Sequence, residues 1–582
     1  MMQKPLSFRP SAGLFKLAGQ LKADQKGGLM MIAGLAIVPM TFLVGFGVDY
    51  SRAMSLQTQL NAAADAAALA AVAPSMILQS DSEASAAATK MFNAQAALLT
   101  GYQDLQVTPT VTSSTSGGGS GALGRFRKVS ISYTVKSINV FGGVLGADTL
   151  TVSGTSTASA AQPPNVDFYL AMDNSPSMLL PATSDGISKI IAATKTSENA
   201  NGCAFACHAQ VPHSDNIYVK DKLGRHVLLS EGYYNSSSSN KNVFYLWDQS
   251  AKILYNSAGV SMNTSTTNNG VTTTVTYSLP NWDYRDGAIV IQKTTKVGSA
   301  AAQTVNFDTG YWADGYWLTH NYGQIYGSPT SLVLRKDDVV SAASQLIPFA
   351  SAQAAQYHVT YQAQMFSFDW TRSGNTSPVR TLNSLTDVTS YGSGFSAASL
   401  FPADDYWWKN SMPTSSTNID DKATEVTNML TTMKNLIPTA GTGAPGATPQ
   451  KILFIITDGM LDQPNGGGRY FGPMRSNEIT ECTAIKAKGI KIAILYTQYL
   501  PESLAGDSWS QNNVAPLLPA PPSPYPAGKA GSSDQVLTAL KSCASAGTNG
   551  TPLVQTVTAD DNITTALQLL FSTALQTARL VQ

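Results

Sequence analysis

In the stretch AMDNSPSM, residues 171–178, Asp173, Ser175 and Ser177 recur at every second position directly after the apolar run NVDFYL. Asp458 stands at the end of a second apolar run, KILFIITDG. A carboxylate and two hydroxyls in one turn, joined by a second carboxylate, make an all-oxygen donor set of the kind a hard divalent cation takes. Mg²⁺ is the expected cofactor, with Mn²⁺ or Ca²⁺ as substitutes. The same residues also have a plainer use, with Asp173 and Ser175 capping the next helix and Asp458-Gly459 forming a turn. Which use applies depends on where the flanking strands put them.

Those strands belong to an α/β pattern that starts near residue 161. A strand at 165–172 is followed by a helix in LRKDDVVSAASQLIPFA, a strand near 357–368 and a helix near 419–437. KILFII, a helix near 477–488, IKIAILY, a short strand near 553–557 and a last helix from about 560 to 577 complete the series. Apolar strands alternating with helices predict a mostly parallel sheet covered on both faces. In such sheets ligands bind at the carboxyl ends of the strands, where Asp173 and Asp458 both fall. An aromatic-rich stretch at about 180–328 reads as an insertion. Clusters such as GYWADGYWLTH and DDYWW read equally well as a binding surface or as the insertion's small core.

Residues 27–48 carry no charge. At 1.5 Å per residue they extend about 33 Å, enough to cross a hydrocarbon core of about 30 Å. Lys4, Arg9, Lys16, Lys22 and Lys26 precede the run against the single acid Asp24, which predicts a cytoplasmic tail at 1–26 and export of everything after Asp49. The run exceeds a signal peptide's usual apolar length and no small-residue cleavage site directly follows it, so an uncleaved anchor is expected. Residues 49–160 read as a stem, two helices and then a small antiparallel sheet in which Val129, Ile131, Tyr133 and Val135 alternate with polar residues. Leu56, Leu60, Ala63 and Ala67 share one helical face, and the alanines suit close approach of a neighbouring helix or a second copy.

The 582 residues balance 37 basic against 37 acidic side chains, and only 13% are charged. The usual figure is about 25%, and nothing in this balance favours nucleic acid. Four cysteines in an exported chain predict two disulfides, Cys203–Cys207 and Cys482–Cys543, each within its own set. CAFACHAQVPH has three residues between its cysteines where haem attachment needs two, and a zinc site with His208 and His213 is less suited to an oxidising compartment. No nucleophile, base and orienting acid can be assembled, which points away from an enzyme and leaves a metal-dependent hydrolase as the weakest reading.

D-x-S-x-S after one strand and T-D-G after another resemble the von Willebrand factor A (VWA) domain and its metal-ion-dependent adhesion site. The resemblance implies a Rossmann-like fold and a threonine from an intervening loop, best matched by Thr442 in TAGTGAPG, with Thr439 and Thr448 nearby as alternatives. It also implies a protein partner whose acidic side chain completes the metal's coordination. Over nearly its whole length, and most specifically in LQTQLNAAADAAALAA and CAFACH, the chain resembles the TadG-type proteins of the Tad, or Flp, pilus-assembly systems. That likeness implies a single-pass protein of the bacterial inner membrane with its bulk in the periplasm or at the cell surface. Its partners would be pilus-assembly or surface proteins. A minor pilin-like subunit or tip adhesin is the competing role.

Overall fold

A computed structural model describes residues 28–114, 126–195, 200–204, 220–225, 228–230, 244–248, 250–279, 284–285, 288–308, 311–312, 315–327, 332–371, 377–392, 394–400, 424–500, 504, 508–520 and 528–580. The chain divides into two compact units, Met1–Gln162 and Pro163–Gln582.

In the first unit, helix α1 (Gly28–Ala71) runs unbroken for 44 residues. Among the described residues it is the one helix long and apolar enough to cross a membrane. Its first half is bare, with Met30, Leu35, Leu43 and Val44 exposed. Its second half is packed. Leu56, Leu60, Ala63 and Ala67 are buried with Phe92 of α2 (Asp81–Ala96) and with Val129, Ile131, Tyr133 and Val135 of the sheet. That sheet is antiparallel, with β2 (Phe126–Ile138) between β1 (Tyr102–Ser114) and β3 (Thr149–Ala161). The alanine face expected to receive a neighbouring helix or a second copy packs on α2 and the sheet of its own unit, because small side chains let them come close.

Two buried polar devices hold the unit. The guanidinium of Arg127 donates to the carbonyls of Met76 and Gln79 and to Asp81, closing the turn that leads into α2. The carboxylate of Asp49 accepts from the backbone N–H groups of Val140, Phe141 and Gly142 at 2.8–2.9 Å. Burial raises the pKa of Asp49, but these three donors and nearby Arg52 outweigh it and hold the group below its ordinary value.

The second unit is mixed α/β. Its main sheet contains β4 (Val166–Asp173), β5 (Tyr361–Phe368), β6 (Val379–Thr381), β7 (Gln450–Thr457), β8 (Lys491–Thr497) and β9 (Val554–Val557). The spatial order is β6-β5-β4-β7-β8-β9. All neighbours are parallel except edge strand β6, and residues 386–387 also pair antiparallel with β5. Side chains of β4 alternate between two cores. Phe168, Leu170 and Met172 face helices α4 (Arg335–Tyr357) and α8 (Ile563–Leu580). Tyr169 and Ala171 face α3 (Ser184–Thr194), α5 (Val426–Leu436), α6 (Ser476–Ala487) and α7 (Gln535–Cys543). Within the stretch read as an insertion, α3 packs in the main core, and so do Phe244, Leu246, Leu318 and Tyr322.

The described part of the insertion consists of antiparallel sheet and one helix, Gly315–Tyr326. Trp247, Leu254, Tyr277 and Ile291 form its small buried cluster, with Tyr245 and Phe307 packed on it. DDYWW lies outside the described residues, and in GYWADGYWLTH Leu318 is buried in the main core. Cys482 of α6 and Cys543 of α7 form the expected disulfide, with Cα atoms 5.2 Å apart. Cys203 is disulfide-bonded, and Cys207 lies outside the described residues.

The register of β4 against β7 pairs Asp167 with Lys451, two strand residues only 3% and 4% exposed whose side chains form an ion pair. Removing one partner strands the other charge in the core. Asp167→Ala should therefore cost about 3–5 kcal/mol, whereas Asp167→Leu combined with Lys451→Met should be near neutral. Chemical denaturation of both variants distinguishes a register-pinning pair from an incidental one, since an incidental pair predicts a small loss in the single variant.

Candidate functional site

Parallel pairing in this register sets Met172 opposite Ile456, so Asp173 and Asp458 leave adjacent strands at the same end of the sheet. The chain runs from β4 outward to β5 and β6, then returns to β7 on the other side of β4. The reversal leaves a crevice at the carboxyl ends of β4 and β7. Both carboxylates stand there, and both are fully buried.

Each acid is held by local turn geometry. Asp173 accepts from the backbone N–H of Ser175 at 2.9 Å and from the Thr457 hydroxyl at 2.7 Å. Asp458 accepts from the N–H of Met460 at 3.1 Å and from the Tyr499 hydroxyl at 2.7 Å. The hydroxyls of Ser175 and Ser177 lie 2.9 Å apart, and Ser177 is near enough to Asp458 to pull its pKa down. Asp173, Ser175, Ser177 and Asp458 are thus brought together.

Thr442 is not. It lies before β7, where Asn165 ahead of β4 donates to the Gly443 carbonyl and accepts from the Gln450 N–H. That is the amino end of the strands, and Thr442 is exposed there. Seven further β7 residues at about 3.3 Å each separate that edge from Asp458. The expectation that Thr442 completes the oxygen set is corrected accordingly: a loop entering β7 reaches only the sheet's other edge.

Two side chains at the site, and a threonine near the same edge of the sheet, escaped the sequence reading. Tyr499 follows β8 and donates to Asp458. Arg335, the first residue of α4, lies with its guanidinium 5.0 Å from the Tyr499 ring and donates to the Gln498 carbonyl at 3.1 Å. Thr424, buried just ahead of α5, exchanges backbone hydrogen bonds with Asp462, while its neighbour Glu425 donates to the Asp369 carbonyl beyond β5. Thr424 had a legible signal, being the threonine that immediately precedes the helix leading to β7. Tyr499 and Arg335 had none, since each comes from a distant segment without a motif.

Burial dominates the electrostatics. It pushes Asp173 from its ordinary 3.8 up to about 7, with repulsion from Asp458 adding to the effect and the bonds from Ser175 and Thr457 opposing it. Asp458 is raised as well, again mainly by burial, while the Ser177 hydroxyl, the Arg335 charge and the Tyr499 bond pull it down. Tyr499 is driven well above its ordinary value by burial and by Asp458. Among the described residues no group of three or more His, Cys, Asp and Glu side chains is clustered. The donors here are instead two carboxylates and several hydroxyls. That set fits a hard cation, whose charge would relieve the repulsion between Asp173 and Asp458. Arg335 supplies part of the same relief.

An acid whose pKa is raised in the folded chain binds its proton more tightly there than in the unfolded chain. The resulting destabilisation is absent below about pH 4, grows as pH rises and is complete above about 7. Thermal unfolding in chelator should therefore show a melting temperature that falls by several degrees across that window. Asp173→Asn should flatten the slope, and an unchanged slope would place the titration elsewhere.

Residues 27–74 match the sequence model of the Tad family, described as "Putative Flp pilus-assembly TadE/G-like". The matched segment covers the whole of α1, its apolar part and its packed part. No curated protein and no solved structure matches the chain. The family match thus bears on the N-terminal helix, and it points to a role in pilus assembly, with protein partners and a membrane-anchoring helix.

Proposed function

We propose that the chain is a single-pass, membrane-anchored pilus-assembly protein of the bacterial envelope, not an enzyme. Its exported second unit is a VWA-like domain that binds a divalent cation and uses it to engage a protein partner. The observation that carries this reading is the convergence of Asp173, Ser175, Ser177 and Asp458 at the strand-order reversal between β4 and β7. The order of the main sheet, starting centrally and winding first one way and then the other, is that of doubly wound nucleotide-binding-type folds. In this reading Mg²⁺ is held by Asp173 and Asp458 with Ser175 and Ser177. Thr424 takes the place first assigned to Thr442, and an acidic group of the partner completes the coordination.

A specific observation favours a second role. Helix α1 continues from a bare apolar half into a half that packs on a small antiparallel sheet, the plan of a pilin-like subunit. Processing before Gly27 or Gly28 would support incorporation into a pilus, and an intact N-terminus by mass spectrometry supports the anchor.

Cation binding is read out by calorimetry and thermal unfolding. A cation present at about 100 times its dissociation constant stabilises by about 2.7 kcal/mol, so Mg²⁺ or Mn²⁺ should raise the melting temperature of the second unit's transition. Asp173→Ala should abolish that rise, Thr424→Ala should weaken it and Thr442→Ala should leave it intact. A wild-type protein indifferent to Mg²⁺, Mn²⁺ and Ca²⁺ would sink the metal-mediated reading.

A further inference from the structure

The turn between β2 and β3 is unusual for a water-facing loop. Residues 138–147, INVFGGVLGA, carry no charge. Val144 and Leu145 are 75% and 65% exposed, and Val140 and Phe141 are also open to solvent. Among the described residues of the first unit, Val144 and Leu145 are left largely uncovered.

The loop is nevertheless tied in place by hydrogen bonds and packing. Asn139 donates from its backbone to the Asp148 carbonyl at 2.9 Å and from its side chain to the Ala147 carbonyl at 2.8 Å. Asp49 takes the three loop amides described above, and Asp49 is the first charge after the uncharged run 27–48. Phe141 packs so closely on α1 that a Cβ at Gly45 would stand 2.6 Å from it. The loop is therefore docked on the last turn of the apolar segment, level with the point where α1 would leave the hydrocarbon. Its open side chains continue the bare apolar surface of Leu43, Val44 and Phe46.

We propose that this loop enters the lipid interface beside α1, so that the stem meets the bilayer at two points, a spanning helix and an interfacial wedge. The inference rests on the reading of α1 as a membrane span. Lipid is the occupant because the loop's apolar surface is continuous with helix surface that lipid must already cover. A wedge fixed to the helix would limit tilting of the stem against the membrane, since uncharged apolar groups favour the headgroup–acyl boundary over water.

The test uses the full chain reconstituted in vesicles of phosphatidylethanolamine and phosphatidylglycerol. No described cysteine is free, so a single introduced one takes a nitroxide label. Val144→Cys is compared with Leu43→Cys on the bare helix and Thr110→Cys on exposed β1. Collision with oxygen relative to a water-soluble nickel chelate should be several-fold higher at positions 144 and 43 than at 110. A label at 144 that matches 110 while 43 remains lipid-like overturns the wedge and leaves the anchor standing. A label at 144 shielded from both reagents also overturns it, in favour of a second copy or another protein. A label at 43 that behaves as in water brings down the anchor reading, and the wedge with it.

Discussion

The parallel pairing of β4 with β7 is the constraint on which the second unit depends. Once Asp167 lies opposite Lys451, the hydrogen-bond ladder carries that register to the far end and delivers Asp173 and Asp458 side by side. A slip of one residue would turn every β4 side chain to the opposite face and scatter the acids. A paired charge near the amino ends suits this task, since a slipped register would leave two unpartnered charges in an apolar sheet.

The outcome is a costly arrangement at the opposite edge. Two carboxylates share a buried crevice, and burial raises both pKa values. Hydroxyls from Ser175, Ser177, Thr457 and Tyr499 and the charge of Arg335 offset part of that cost. Purely structural acids would be better placed in water or in full ion pairs. Acids kept together out of water, at a sheet's switch point, suit a group that brings positive charge with it.

The first unit follows a different logic. One helix serves both as an apolar rod and as the spine of a folded stem, and its character changes at Asp49. Before that residue the exposed side chains are apolar. After it alanines and leucines turn inward against α2 and the sheet. Asp49 ties the β2–β3 loop to this transition, so the fold marks the boundary between the two environments with a carboxylate and three amides.

Much of this was legible in the residues themselves. Hydrophobic period separated the stem from the α/β unit, and the uncharged run marked the apolar helix, because burial and lipid exposure act on side chains through regular spacing. Asp173, Ser175, Ser177 and Asp458 were readable because each sits directly after its own strand, and a strand end is a local property of sequence. The pairing of Cys482 with Cys543 followed from the two cysteine sets. The rest was settled by tertiary structure. Thr424 precedes the helix that leads to β7 and Thr442 follows it, but only the sheet shows that Thr442 lies at the edge away from Asp173 and Asp458. Arg335 and Tyr499 reach the acids from segments with no motif of their own, and only the packing shows that the helix against the alanine face of α1 is α2 of the same unit. The physical reason is the same in each case: periodicity reports which side of an element is covered, whereas what covers it depends on how distant elements pack.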